Sequence, residues 1–206
     1  MITLYAMKPR FQALLRPTVQ RLAAARVTAN QVTLAAAFGS VAVGLFVVAH
    51  VDTAPVFLLL PVWLAIRMAL NAIDGMLARE FRQQSRLGAY LNELGDVVSD
   101  AALYAPFVLL PPFGAAATVI VVVLAVLTEF VGVLGPAVGA SRRYDGPLGK
   151  SDRALLAGAL GLWIGVGGAL PSWFAGLMPL VGVLLVVTIA NRMRAGLAEA
   201  AGRADG

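Results

Sequence analysis

Long apolar runs separated by short polar links dominate the chain between residues 31 and 191. They lie at about 31–50, 55–79, 88–110, 114–140, 153–170 and 173–191. Their lengths match the roughly 20 residues a helix needs to cross a hydrocarbon layer of about 30 Å. Strict alternation is absent, and open sheet edges cannot be satisfied in lipid, so strands are not expected. Pro111-Pro112 and Pro171-Ser172 mark two of the breaks, and Asn30 is placed to cap the first run. Ahead of it, Tyr5 to Ala25 mixes Phe11, Leu14, Leu15, Val19 and Leu22 with Arg16, Gln20 and Arg21. Helical spacing gives this segment an apolar and a basic face, which predicts a helix lying in the membrane interface. The pattern as a whole predicts an all-α polytopic membrane protein: six transmembrane helices behind an N-terminal interfacial amphipathic helix. A single domain is expected over 1–206, divided into an interfacial helix (1–27), a six-helix bundle (28–194) and a cytosolic tail (195–206).

Composition agrees with this reading. Of 206 residues, 60% are hydrophobic and 13% charged, against about a quarter charged in an ordinary soluble domain. No cysteine is present, which excludes thiolate metal sites and cysteine nucleophiles. The start of the chain is basic and amphipathic and does not read as a signal peptide.

A net charge of +5 raises the question of nucleic acid, but the placement of the cations answers it differently. Lys8, Arg10, Arg16, Arg21 and Arg26 precede the first run; Arg79, Arg82 and Arg86 lie at or within the link between the second and third. Arg142, Arg143, Lys150 and Arg153 lie between the fourth and fifth, and Arg192, Arg194 and Arg203 follow the sixth. The other three links hold no Lys or Arg. This bias predicts an inner-membrane protein with both termini in the cytosol, and a lipid bilayer rather than nucleic acid as the partner.

Asp74, Glu93, Asp96, Asp100, Glu129 and Arg67 fall inside or at the ends of apolar runs. Each costs several kcal/mol there unless paired, hydrated or metal-bound, so each is a functional candidate. At 100° per residue, Arg67, Asn71, Asp74 and Ala78 lie within about 60° of one another on a helix. Gly88, Asn92, Asp96 and Asp100, four residues apart, form a second stripe. Counted from the basic link at about 1.5 Å per residue, Asp74 lies about 8 Å deep and Asp96 about 12 Å, so the two carboxylates can meet near the cytosolic face. Facing carboxylates repel unless a cation joins them, and Asp with Asn oxygens is hard-ligand chemistry suited to magnesium, manganese or calcium. Gly75 and Gly88 leave room beside such a site, and Arg79 and the basic loops would attract phosphates. The plainer reading is a buried polar network that locks helices together.

From Asn71 the chain reads N-A-I-D-G-M-L-A-R, then eight residues, then G-A-Y-L-N-E-L-G-D ending at Asp96. This resembles the CDP-alcohol phosphotransferase (phosphatidyltransferase) family, whose pattern is D-x-x-D-G-x-x-A-R-x8-G-x3-D-x3-D. Asp74, Gly75, Ala78, Arg79, Gly88 and Asp96 match in identity and spacing, while Asn71 and Asn92 replace the first and third aspartates. The resemblance implies a metal-dependent transferase of phospholipid synthesis. Its donor would be CDP-diacylglycerol or another CDP-alcohol, its acceptor an alcohol, and its assembly a homodimer.

The resemblance also implies residue roles. Asp74 and Asp96, with Asn71 and Asn92 as neutral ligands and Asp100 as a further candidate, would hold one or two Mg2+ or Mn2+ ions. Asp96 would double as general base. Gly75, Ala78, Arg79 and Gly88 would shape the nucleotide pocket. Arg142, Arg143, Lys150 and Arg153 are candidates for binding an anionic acceptor or a diphosphate, against the alternative of ordinary positive-inside charge. Arg67 is expected to bind a phosphate or to pair with Asp100 or Glu129. Two rival readings stay open: a catalytically impaired relative, for which the two asparagines speak, and a small transporter with an acidic intramembrane site.

Overall fold

A computed structural model describes residues 4–204. Seven long helices carry the chain, joined by short 3₁₀ turns, and no strand occurs among the described residues. They are α1 (Leu4–Ala24), α2 (Ala29–Ala49), α3 (Leu59–Glu80), α4 (Arg86–Tyr104), α5 (Ala115–Leu134), α6 (Lys150–Gly165) and α7 (Leu177–Ala204).

Local chemistry sets the helix ends, in places differently from the apolar pattern. Thr28, not Asn30, caps α2: its hydroxyl accepts from the Gln31 N–H at 3.2 Å, and the Gln31 side chain accepts from the Thr28 N–H at 2.9 Å. This reciprocal box satisfies two orphan donors and leaves Asn30 inside the first turn. The third apolar run ends its regular helix at Tyr104, because Pro106 lacks an N–H and its ring obstructs the preceding turn; a 3₁₀ turn carries the chain to Leu109. Pro136 has the same effect on the fourth run, which leaves α5 at Leu134 and turns at Gly139 (φ 85°), a left-handed position that favours glycine. At the other end of the chain α7 runs on to Ala204, so residues 195–204 are helical.

The molecule is apolar outside and charged within. Phe38 on α2, Val62 and Met68 on α3, and Val183 and Val186 on α7 are exposed, whereas Arg67, Asp74, Asp100, Glu129, Arg153 and Arg192 are buried. That inversion suits a chain whose solvent is lipid. Four segments, Ala29–Ala49, Ala54–Glu80, Ala115–Val138 and Ser172–Arg203, are long and apolar enough to cross a membrane by length and composition. Helix α4 carries Glu93, Asp96 and Asp100, and α6 has 16 residues, about 24 Å at 1.5 Å per residue.

Helix α2 packs on α3 and α4, α5 packs on α7, and α6 packs on α3. The main apolar core lies around Val47, Phe57, Leu60, Leu103, Phe107, Phe113 and Leu185. Close approach of α2 and α3 depends on Gly39, where a Cβ would sit 2.2 Å from the Trp63 ring, and Trp63 donates to Ser40 at 2.9 Å. A second core of Val19, Ala29, Val32, Ile73, Met76 and Leu77 seats α1 on α2 and α3. Arg16 reinforces it with a bidentate contact to Glu80 (2.8 and 3.2 Å), while Leu14 points away from the protein.

Candidate active site

Helices α2, α3 and α4 meet at the Glu80–Ser85 link and enclose a cavity of about 410 Å³. Asp74, Gly75, Ala78 and Arg79 line it from α3, Gly88 and Asn92 from α4, and Asn30 and Thr33 from α2. The link itself is held in place from both sides. Gln83 accepts from the Ala29 N–H at 2.7 Å, and Ser85 caps α4 by accepting from the Gly88 N–H at 2.9 Å. Asp74 is 6% exposed, and one of its oxygens accepts from the Thr33 hydroxyl at 2.8 Å.

The two glycines are dictated by close approach. A Cβ at Gly75 would lie 2.9 Å from a guanidinium nitrogen of Arg79, and one at Gly88 would lie 2.8 Å from the Asn30 side-chain oxygen. Gly75 therefore lets the Arg79 guanidinium fold back along α3, and Gly88 lets Asn30 reach α4.

Asn71 lies one turn before Asp74 on α3, as Asn92 lies one turn before Asp96 on α4. Asp96 sits deeper than the cavity lining and between two cations. Arg67 donates to it at 3.1 Å, and Lys150, the first residue of α6, makes a close ion pair with its other oxygen. Arg67 also holds Asp100 at 2.5 Å. The sequence expectation for Arg67 is thus met by Asp100, and Asp96 is an additional partner that helical spacing alone did not reveal. Arg67 stands one turn before Asn71, so the signal was its place at the deep end of the α3 stripe.

Asp100 departs from its candidate role. It is 5% exposed, lies outside the cavity, and is held by Arg67 and Arg153. The four basic candidates for an anionic acceptor are likewise engaged. Arg153 does not face the mouth: it is 4% exposed and donates to Glu129 at 2.8 Å and Asp100 at 3.4 Å. Arg142 pairs closely with Glu93 and lies 3.7 Å from Glu129. Arg143 grips Asp145 (2.8 and 2.9 Å) and Glu199 (2.5 Å). Its hydrogen bonds hold the Asp145 carboxyl below the usual carboxylate range. Arg192, which sequence reasoning left among the positive-inside charges, is 2% exposed and lies 3.6 Å from Glu129. Except for Arg143 with its near neighbour Asp145, these contacts join residues well apart in sequence, so no local spacing announces them.

Residues 26–189 match the family described as CDP-alcohol phosphatidyltransferase. This chain belongs to that family. It is 49% identical over 193 residues to the inner membrane protein YnbA of Escherichia coli (strain K12), covering 94% of this chain and 96% of YnbA. Two solved structures share the fold, both of phosphatidylinositol phosphate synthase (PgsA1) from Mycobacterium tuberculosis. One, with CDP-DAG bound, aligns with a TM-score of 0.72 at 22% identity over 87% of this chain and 92% of that one. The other, with manganese and citrate, aligns with a TM-score of 0.70 at 22% identity over 88% of each chain. The apolar helices and the YnbA likeness make this member of the family a multi-pass protein of the bacterial inner membrane.

The family depends on a divalent metal. Among the described residues no three His, Cys, Asp or Glu side chains converge on one point. The hard donors left are the Asp74 and Asp96 carboxylates and the Asn71 and Asn92 amide oxygens, a set carrying two negative charges. One divalent ion balances that charge; a second would be left uncompensated beside Arg67 and Lys150. Asp74 and Asn92, which line the cavity, offer hard oxygen donors that fit a divalent ion.

Proposed function

We propose that this protein transfers a phosphatidyl group from CDP-diacylglycerol to an alcohol, releasing CMP, as a step in phospholipid synthesis. The observation that carries this reading is the cavity that gathers Asp74, Gly75, Ala78, Arg79 and Gly88 from two helices, with Asp96 beneath it.

In this reading the cytidine diphosphate enters over Gly75 and Gly88, and the Arg79 guanidinium, exposed at the mouth, pairs with its phosphate oxygens. Asp74, with Asn71, Asn92 and Asp96, would hold a Mg2+ or Mn2+ ion, which when bound would neutralise charge on the pyrophosphate and on the departing CMP. Asp96 takes the proton of the acceptor hydroxyl. The hydroxyl oxygen forms a bond to the lipid-bearing β-phosphorus while the bond from that phosphorus to the bridging oxygen breaks, and the electron pair leaves with CMP. One Asp96 oxygen has to quit its ion pair for this. Lys150 is the partner free to move, since its side chain is 31% exposed whereas that of Arg67 is 4% exposed and also tied to Asp100.

Six of the helices, α2 to α7, cross the bilayer in this reading, with α1 in the cytosolic interface and both termini in the cytosol. The cation distribution supports it: Arg79 and Lys150 fall at the ends of α3 and α6 on the side of the cavity. The whole chain acts as one domain, and a homodimer is its expected assembly, to be read by light scattering in detergent.

Asn71 and Asn92 favour one alternative, a relative that binds the CDP-lipid without turnover. The deciding experiment is CMP release from CDP-diacylglycerol by purified protein, with Mg2+ or Mn2+ and a panel of alcohols. Metal-dependent CMP with a new lipid establishes the transferase; tight binding of labelled CDP-diacylglycerol without CMP under any condition establishes the alternative.

A further inference from the structure

The polar layer has a second half, reaching from Glu93, which also lines the α2–α3–α4 cavity, past Asp96 to where α4, α5, α6 and α7 converge. Its cations are Arg67, Arg142, Arg143, Lys150, Arg153 and Arg192, and its carboxylates are Glu93, Asp96, Asp100, Glu129, Asp145 and Glu199. Every one of these six cations is paired with at least one of the six carboxylates, and Arg203 shares Glu199. Glu129 alone faces Arg142, Arg153 and Arg192. Arg79 is of another kind: it lines the donor cavity and has no carboxylate partner among the described residues.

A phosphate monoester carries about −1.5 to −2 charges near neutral pH. To bind it, this half of the layer would have to surrender carboxylate–guanidinium contacts that range from the half-buried Arg142–Glu93 pair to the buried Arg153–Glu129 pair. It would also leave Glu93 or Glu129 facing the incoming anion, a like-charge contact in a region of low dielectric. Neutral hydroxyl groups meet no such obstacle, because paired carboxylates and guanidinium groups keep spare lone pairs and N–H donors. Resting on the transferase reading above, we propose that the acceptor is a phosphate-free alcohol of no net charge, and that Glu93 and Glu129 set this specificity by occupying the cations an anionic acceptor would need.

The test offers matched acceptors, glycerol with glycerol 3-phosphate and inositol with inositol phosphate, to the purified full-length protein with CDP-diacylglycerol and Mn2+. The expected result is at least about tenfold higher kcat/KM for the phosphate-free member of each pair, with lipid product identified by mass. Glu93→Gln, which leaves Arg142 only its 3.7 Å contact to Glu129, narrows that ratio by raising use of the phosphorylated member. Preference of the unaltered protein for either phosphorylated alcohol overturns the proposal.

A binding measurement keeps the proposal decidable if no turnover is seen, which would count against the transferase reading alone. Glycerol 3-phosphate titrated calorimetrically into the unaltered protein is expected to give no saturable heat in the low millimolar range, and to give it with Glu93→Gln. Saturable binding to the unaltered protein that is lost in Arg142→Ala overturns the specificity proposal whatever the activity.

Discussion

Arg79 and Arg153 lie on two sides of the same polar layer in opposite states. Arg79 is exposed at the rim of the α2–α3–α4 cavity and free of carboxylates among the described residues. Arg153 is buried between α4, α5 and α6, with Asp100 and Glu129 as partners. The first arrangement leaves a positive charge available to a ligand. The second spends its charge on internal partners and fastens helices together. Basic residues crowded at one face of a membrane protein are therefore not interchangeable: what each can bind depends on whether the fold has already given it a carboxylate.

That contrast can be broken from either side. The largest effect is expected at Asp74 and Asp96. Replacing either with Ala should lower CMP release by about three orders of magnitude or more, in keeping with loss of a charge-stabilising group or a general base; retained elution as a folded species in detergent separates this from misfolding. Arg153→Ala should instead act on stability. It strands Asp100 and Glu129, and removing one partner of a buried pair costs about 3–5 kcal/mol, to be read as a lowered unfolding midpoint in detergent.

Arg79→Ala should do the reverse, leaving the midpoint nearly unchanged and raising KM for the CDP-lipid by about tenfold or more, the loss of one charge-assisted phosphate contact. Restoring charge with Asn71→Asp and Asn92→Asp together should tighten Mn2+ binding by about tenfold or more and move its stoichiometry from one ion towards two, measured by calorimetry. Asp145→Asn is the smallest, under about 1 kcal/mol, since this contact is partly exposed. Arg143 depresses the Asp145 carboxyl. The attachment is therefore fully present above the ordinary carboxylate range and lost only as pH falls through the lowered value, an acid dependence that Asp145→Asn removes.

The apolar runs made the order of the helices legible, and the spacing from Asn71 to Asp96 made the cavity legible, because both follow from periodicity along one or two adjacent helices. Helix ends were read less well where one proline inside a long run decides them, as Pro106 and Pro136 do. The pairings of Lys150 with Asp96 and of Arg142 with Glu93 were not readable at all. They depend on where α6 and the α5–α6 segment come to rest against α4, 49 residues away in sequence for the second pair, and nothing in either stretch encodes the other's position. Glu129 stood out as a charge in an apolar run, but that it serves three arginines emerges only once the α5–α6 segment, α6 and α7 bring Arg142, Arg153 and Arg192 to it.

The grip of Glu199 on the Ser141–Arg143 segment has a consequence for how the protein is made. Ser141 donates to Glu199 through its N–H and hydroxyl at 3.1 and 2.8 Å, and Arg143 adds a further bond across 56 residues. If the helices enter the membrane in the order of synthesis, the segment that pairs with Glu93 emerges well before the residue that fastens it. It must wait, unanchored, until α7 has been inserted. Assembly then runs from the Asp74 cavity, whose lining comes from α2, α3, α4 and the link between the last two, to the ion-paired layer around Glu129, which is finished only when the final helix docks.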